Sequence, residues 1–138
     1  MSREKVMRIK WIAGAGAVAL GAAALAAAPE PAPAGNAAKG KALFARCAAC
    51  HAVVPGKNGI GPSLAGVVGR RSASVPGYAY SPAMQASKLK WDEATLGRFL
   101  AGPRQLVPGT RMIAAPIAAP QDRADLTAYL KTTGSKTK

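Results

Sequence analysis

Two cysteines and one histidine are all the thiol and imidazole that this 138-residue chain offers, and they stand together as Cys47-Ala-Ala-Cys50-His51. On a helix, positions i, i+3 and i+4 are neighbours, so Cys47 shares a face with both Cys50 and His51. Two thiols so placed can add across the two vinyl groups of one haem, and the imidazole then reaches the iron from below the ring. C-x-x-C-H is the general attachment pattern for a c-type haem. A structural zinc site needs four ligands, and three adjacent ones do not supply it. A thioredoxin-like redox pair wants a βαβ context, which the sequence lacks. A plain disulfide between i and i+3 suits an oxidising compartment but leaves the chain's long loops without a purpose.

The other side of the iron is narrowed by counting. His51 is the only histidine, so the chain alone cannot provide bis-histidine ligation. A thioether is the usual alternative and raises the reduction potential. Met1 and Met7 lie in the N-terminal segment, which leaves Met84 and Met112. Met112 follows His51 by 61 residues, in Val107-Pro-Gly-Thr-Arg-Met112-Ile-Ala-Ala. That loop is rigid enough to present a side chain without a helix, so Met112 is the expected ligand. Met84 is expected to fill core space, since methionine packs irregular gaps readily.

The elements that must position these residues come next. Beyond the N-terminal third, about 100 residues remain, with six aromatics: Phe44, Tyr78, Tyr80, Trp91, Phe99 and Tyr129. A domain so small buries a low fraction of its surface, and with so few bulky side chains it needs something else at its centre. Asn36 caps an expected helix through about Ala49, with Leu43 and Phe44 on its apolar face. Residues 52–79 hold ten Gly, Pro or Asn and read as long loops. Ser81 opens a short helix to Lys88. Asp92 caps another to about Ala101, stopped by Gly102-Pro103, with Leu96, Phe99 and Leu100 as its stripe. Residues 103–119 read as loop. Pro120 starts the last helix, with Asp122 and Asp125 in its first turns, Lys131 at its end, and Leu126, Tyr129 and Leu130 on its buried face. Loops of this length suit a domain wrapped round a bound group.

Arg3, Lys5, Arg8 and Lys10 precede an uncharged stretch over 11–28, followed by Pro29-Glu-Pro-Ala-Pro33. A basic start, an apolar middle and small residues at the end describe a secretory signal. Ala24-Leu25-Ala26 is an acceptable cleavage site. The competing reading is an uncleaved anchor, although eighteen residues rich in Ala and Gly lie at the lower limit for a bilayer span. The expected organisation is therefore 1–28 signal peptide or anchor, 29–35 Pro/Ala linker, 36–134 folded domain and 135–138 basic tail. No twin-arginine pair stands in the basic N-terminal region, which points to export unfolded. The expected compartment is the periplasm, in solution or anchored to the periplasmic face of the inner membrane.

The net charge is +13, from 19 Lys and Arg against 6 Asp and Glu. Such a field attracts anionic partners. Nucleic acid is not among them: the basic residues are scattered singly, with no basic helix and no RNP-like aromatic motif.

The run Gly40-Lys-Ala-Leu-Phe44, Cys47-Ala-Ala-Cys-His51, Gly61-Pro62-Ser-Leu64-Ala-Gly66, Gly69-Arg70, Gly77-Tyr-Ala-Tyr80, Trp91, Pro108-Gly-Thr-Arg-Met112 and Asp125-Leu-Thr-Ala-Tyr129-Leu resembles a class I c-type cytochrome, of the mitochondrial cytochrome c and bacterial c2 type. The likeness covers essentially the whole exported part, in order. It implies an all-α fold of helices and long loops wrapped around one covalent haem c. Gly40 and Phe44 would then meet Leu126 and Tyr129 where the first and last helices cross. It implies that the Pro62 carbonyl accepts the other ring N–H of His51. Arg70, Tyr80 and Trp91 would surround one haem propionate, with Thr110 near the other. Buried propionates without donors would be costly, which gives those polar side chains a physical reason. Three positions depart from the family: Phe99 replaces a common Tyr, Met84 a common Asn, and Ala114 a usual Phe (with Pro116 for a common Gly).

The implied function is a monomeric, non-enzymatic carrier of single electrons between a quinol–cytochrome c oxidoreductase of the bc1 type and a terminal oxidase or similar acceptor. Arg46, Lys57, Arg104 and Arg111 would face acidic docking surfaces on those partners. A peroxidase-like enzyme or gas sensor is the competing class. It needs an open iron and usually a distal acid or base, and the lone histidine is already used.

Overall fold

The computed structural model describes residues 32–134. The expected signal peptide or anchor over 1–28, the start of the expected linker and the expected basic tail 135–138 lie outside the described residues. Among the described residues five α-helices form: α1 Ala37–Leu43, α2 Pro82–Ser87, α3 Glu93–Ala101, α4 Pro103–Leu106 and α5 Pro120–Thr132. Among the described residues there is no strand, only an isolated antiparallel bridge between Arg71 and Lys90. The fold is all-α.

Three starts follow from capping side chains. Asn36 accepts from the Lys39 N–H, Ser81 from Met84 and Asp92 from Thr95, each three residues on. α4 and α5 begin instead at prolines, whose missing N–H costs nothing in a first turn.

Two sequence expectations need correction. The first helix does not run to Ala49: α1 ends at Leu43, a 3₁₀ turn spans Phe44–Arg46, and hydrogen-bonded turns carry 47–50. Residues 103–119 are not all loop, because Pro103, read as a stop, is also the first residue of the one-turn α4.

α1 crosses α5 at Gly40, where a Cβ would stand 1.9 Å from the Asp125 carbonyl oxygen. Only a residue without a side chain allows backbones so close. Beside the crossing, the Phe44 and Tyr129 rings lie 5.4 Å apart. Asp125 was expected to serve the α5 dipole. It is instead buried, accepting from the Asn36 N–H at 2.7 Å and Gln121 Nε2 at 2.8 Å. Those bonds hold its carboxyl below the ordinary carboxylate range. Gln121 Nε2 also donates to the Ala34 carbonyl at 2.8 Å, so the chain just before α1 is pinned to α5.

The core is Phe44, Val67, Met84, Trp91, Leu96, Phe99, Leu100, Val107, Ile117, Leu126 and Leu130. Trp91 is fixed between Arg70 and Gly69: its N–H donates to the Arg70 carbonyl, and its carbonyl accepts from the Gly69 N–H. No described helix is long and apolar enough to cross a membrane.

Candidate functional site

Cys47, Cys50 and His51 follow the 3₁₀ turn that ends α1. The N–H groups of Cys50 and His51 both donate to the Cys47 carbonyl, at 3.0 and 2.9 Å. The second bond spans four residues, as in one turn of α-helix, so the shared face survives although the long helix does not. Cys47 and Cys50 are both half-buried free thiols. Burial pushes the Cys47 thiol up, opposed by Arg46 and assisted by Cys50. Among the described residues no three His, Cys, Asp or Glu side chains gather on one point, which leaves the zinc alternative without a ligand set.

His51 is held from two sides. Its Nδ1 lies 2.7 Å from the Pro62 carbonyl oxygen, and Gly61 is packed against its ring. A hydrogen bond at Nδ1 fixes the tautomer and leaves Nε2 as the free lone pair for a metal.

Met112 is half-buried and packs against the core cluster from its loop. Its N–H donates to Thr110 Oγ1 at 3.3 Å, and Thr110 is itself buried. Met84 is 8% exposed within the core, with Ser87 Oγ 3.9 Å from its sulfur. Cys47, Val53, Leu64, Val68, Tyr80, Leu89, Leu106 and Met112 are all partly exposed while touching the core. Each is covered on its core side only, so the polypeptide leaves much large side-chain surface that it does not itself seal.

Arg70 gives the chemical test of whether the residues fit a haem. Its Nη1 donates to the Ala65 carbonyl at 2.8 Å and its Nη2 to Ser63 at 2.9 Å. Its Nε is buried without any partner. Burial lowers its pKa, with Tyr80 acting the other way, yet a guanidinium keeps its charge. An unpartnered buried N–H on a fixed cation fits an anionic group such as a propionate carboxylate. Tyr80 Oη accepts from the Val75 N–H at 3.3 Å, and burial raises its pKa. The indole of Trp91 is buried beside Phe99, ring centroids 5.0 Å apart. A separate cleft of about 400 Å³ lies between α4 and the stretch after Met112, lined by Pro103, Arg104, Gln105, Ile113, Ala114 and Pro116.

Residues 37–134 match the family model for cytochrome c. The chain belongs to the cytochrome c family. Cytochrome c2 of Rhodomicrobium vannielii is 48% identical over 100 residues, covering 72% of this chain and 80% of that one. Cytochrome c of Euglena viridis is 48% identical over 99 residues, covering 71% and 97%. The solved structure of cytochrome cH from Methylobacterium extorquens superposes with a TM-score of 0.68 at 47% identity, over 71% of this chain and 99% of that one. This is a class I c-type cytochrome with one covalent haem c and a role in electron transport. Cys47 and Cys50 are the only thiols in the chain that could carry the thioether bonds.

Of the four basic residues expected on the docking face, Arg46, Lys57 and Arg104 are exposed and unpaired among the described residues. Arg111 is different: it donates to the Ala79 carbonyl, 32 positions away in sequence. Sequence reasoning missed that tie, and nothing local signals it.

Proposed function

We propose that the protein is an exported shuttle for single electrons, ligated by His51 and Met112, that docks by charge on a bc1-type complex and on a terminal oxidase or similar acceptor. A haem held here would supply one-electron chemistry. Cys47 and Cys50 tether it. His51, oriented by Pro62, would present Nε2 to the iron, and Met112 would present its thioether from the 107–115 loop. Arg70, Tyr80 and Trp91 would hold one propionate and Thr110 the other. Held between His51 and Met112, the metal would offer a substrate no open position, so the protein would carry electrons without catalysing a reaction of its own.

The observation that carries this reading is the held imidazole: His51 is fixed at Nδ1 by Pro62 and backed by Gly61, which suits a permanent ligand and not a distal acid or base. The surplus positive charge supports docking on acidic surfaces, since steering raises association rates and weakens with salt. Residues 1–28 act as the export signal, with retention as a periplasmic anchor the alternative outcome. The protein acts as a monomer.

The test is spectroscopic and kinetic together. The ferric protein should show a sulfur–iron absorption band, the ferrous protein should resist carbon monoxide, and reduction by a bc1-type complex should slow as salt rises. Rapid carbon monoxide binding by the native protein would instead favour an open-iron enzyme or gas sensor.

A further inference from the structure

Arg71 and Lys90 stand opposite one another across the isolated antiparallel bridge. The backbone bonds that flank them run from the Trp91 N–H to the Arg70 carbonyl and from the Ser72 N–H to the Leu89 carbonyl, each at 2.8 Å. That pattern makes Arg71 and Lys90 a non-hydrogen-bonded pair, the kind whose side chains come closest, on one face of the ladder. Their neighbours alternate to the other face. Trp91 is buried, Leu89 packs against the core, and Arg70 is half-buried with its Nε unpartnered. Arg71 and Lys90 are both exposed to water.

Like charges directly opposed destabilise a strand pair. No carboxylate relieves them. Among the described residues the one ion pair, Lys131 with Glu93, uses neither. Asp92, whose pKa is lowered first by the Thr95 N–H and only last by Lys90, is committed to capping α3. Lys88 adds a third exposed cation two residues before Lys90. It is the C-cap of α2, in left-handed backbone at φ 48°, where glycine would sit without strain. Three cations thus share one edge, each at a position where local structure works against it.

We propose that the outer face of this bridge is an anion site for a small molecule carrying a diphosphate, with Arg71 and Lys90 on one phosphate and Lys88 on the other. Charge selects that class. A carboxylate brings a single negative charge to two opposed cations, whereas a terminal phosphate brings about 1.5 to 2. Arg71 can give such a group two parallel N–H bonds, and Lys90 a compact point charge. The site shares no residue with Arg46, Lys57, Arg104 and Arg111, and it does not depend on which side chains ligate the iron.

The experiment is calorimetric titration of the holoprotein with inorganic pyrophosphate at low salt, where exposed charges are least screened. The wild type should take up one equivalent. Arg71→Gln and Lys90→Gln should each weaken binding about 3- to 10-fold, the loss of one exposed charge-assisted contact. Lys41→Gln removes the same charge from α1 and should leave the affinity unchanged. Thermal unfolding gives an independent reading. Without the anion, relief of the opposed charges should leave both bridge variants at least as stable as the wild type, and pyrophosphate should raise the wild-type midpoint most. No saturable binding, or an equal loss in Lys41→Gln, would reduce the face to a diffuse positive field and overturn the site. Lower midpoints in both bridge variants would make the pair a structural element and overturn it as well. Tighter binding of an oligoglutamate peptide than of pyrophosphate through these residues would give the face to an acidic protein instead.

Discussion

Gly61 lies flat against the imidazole of His51: a Cβ on that glycine would stand 2.3 Å from Cε1, 2.6 Å from Nδ1 and 2.8 Å from Nε2. The ring therefore has a wall at its side as well as an acceptor at Nδ1. In sequence the glycine looks like ordinary loop punctuation before Pro62. In the structure its missing side chain is the space the imidazole occupies.

Gly61→Ala should accordingly push the ring off its site, because no real Cβ tolerates such contacts and the ring cannot retreat without losing Pro62. The expected result is a poor yield of haem-loaded protein, and in what loads, a shifted reduction potential and a weakened sulfur–iron band. Recovered yield and redox titration check it. A variant indistinguishable from wild type would mean the loop yields freely there.

Met112→Ala should remove the thioether ligand. The sulfur–iron band should vanish, carbon monoxide should bind the ferrous form readily, and the potential should fall by an amount on the order of tenths of a volt. Met84→Leu, at a buried core position, should leave the band in place. A band lost with Met84 and kept without Met112 would exchange their roles.

Phe99 offers a sulfur nothing to bond. Phe99→Tyr should raise the potential by roughly 20–60 mV if the new hydroxyl donates to the thioether, the equivalent of one hydrogen bond for a one-electron couple. An engaged lone pair is a weaker donor to ferric iron, which sets the sign. Redox titration reads it, and an unchanged potential would place the hydroxyl out of reach.

Asp125 makes stability fall on the acid side. Its folded pKa is depressed, chiefly by the Asn36 N–H and then by Gln121. A depressed carboxylate stabilises the fold fully above its unfolded pKa, near 4, and the contribution is lost as pH falls through the lower folded value. Asp125→Asn should lower the thermal midpoint at neutral pH and flatten its decline below about pH 4. An equally steep decline in the variant would assign the acid sensitivity to other groups.

Much of this was legible in the residues. The caps Asn36, Ser81 and Asp92, and the prolines at 103 and 120, are local chemistry and mark where helices begin. The spacing Cys47, Cys50, His51 carries the cofactor by itself, and the run from Gly40 to Leu130 identifies the fold. What the sequence hid is non-local. Asp125 answers a backbone N–H 89 positions away, and Arg111 a carbonyl 32 positions away, so no window along the chain contains either pair. The helix through 47–50 failed for a related reason: helix propensity favoured its continuation, but the chain tightens at Phe44, whose ring is committed to Tyr129 of α5.

The central claim is that a haem is bonded to Cys47 and Cys50 and completes the interior. Intact mass of the purified protein, taken before and after acidified organic solvent, tests it most directly. The account predicts a red protein heavier by one haem, less any signal segment removed, whose colour and added mass both stay with the polypeptide. Colourless material, or pigment that passes wholly into the solvent and leaves the bare chain mass, would contradict it.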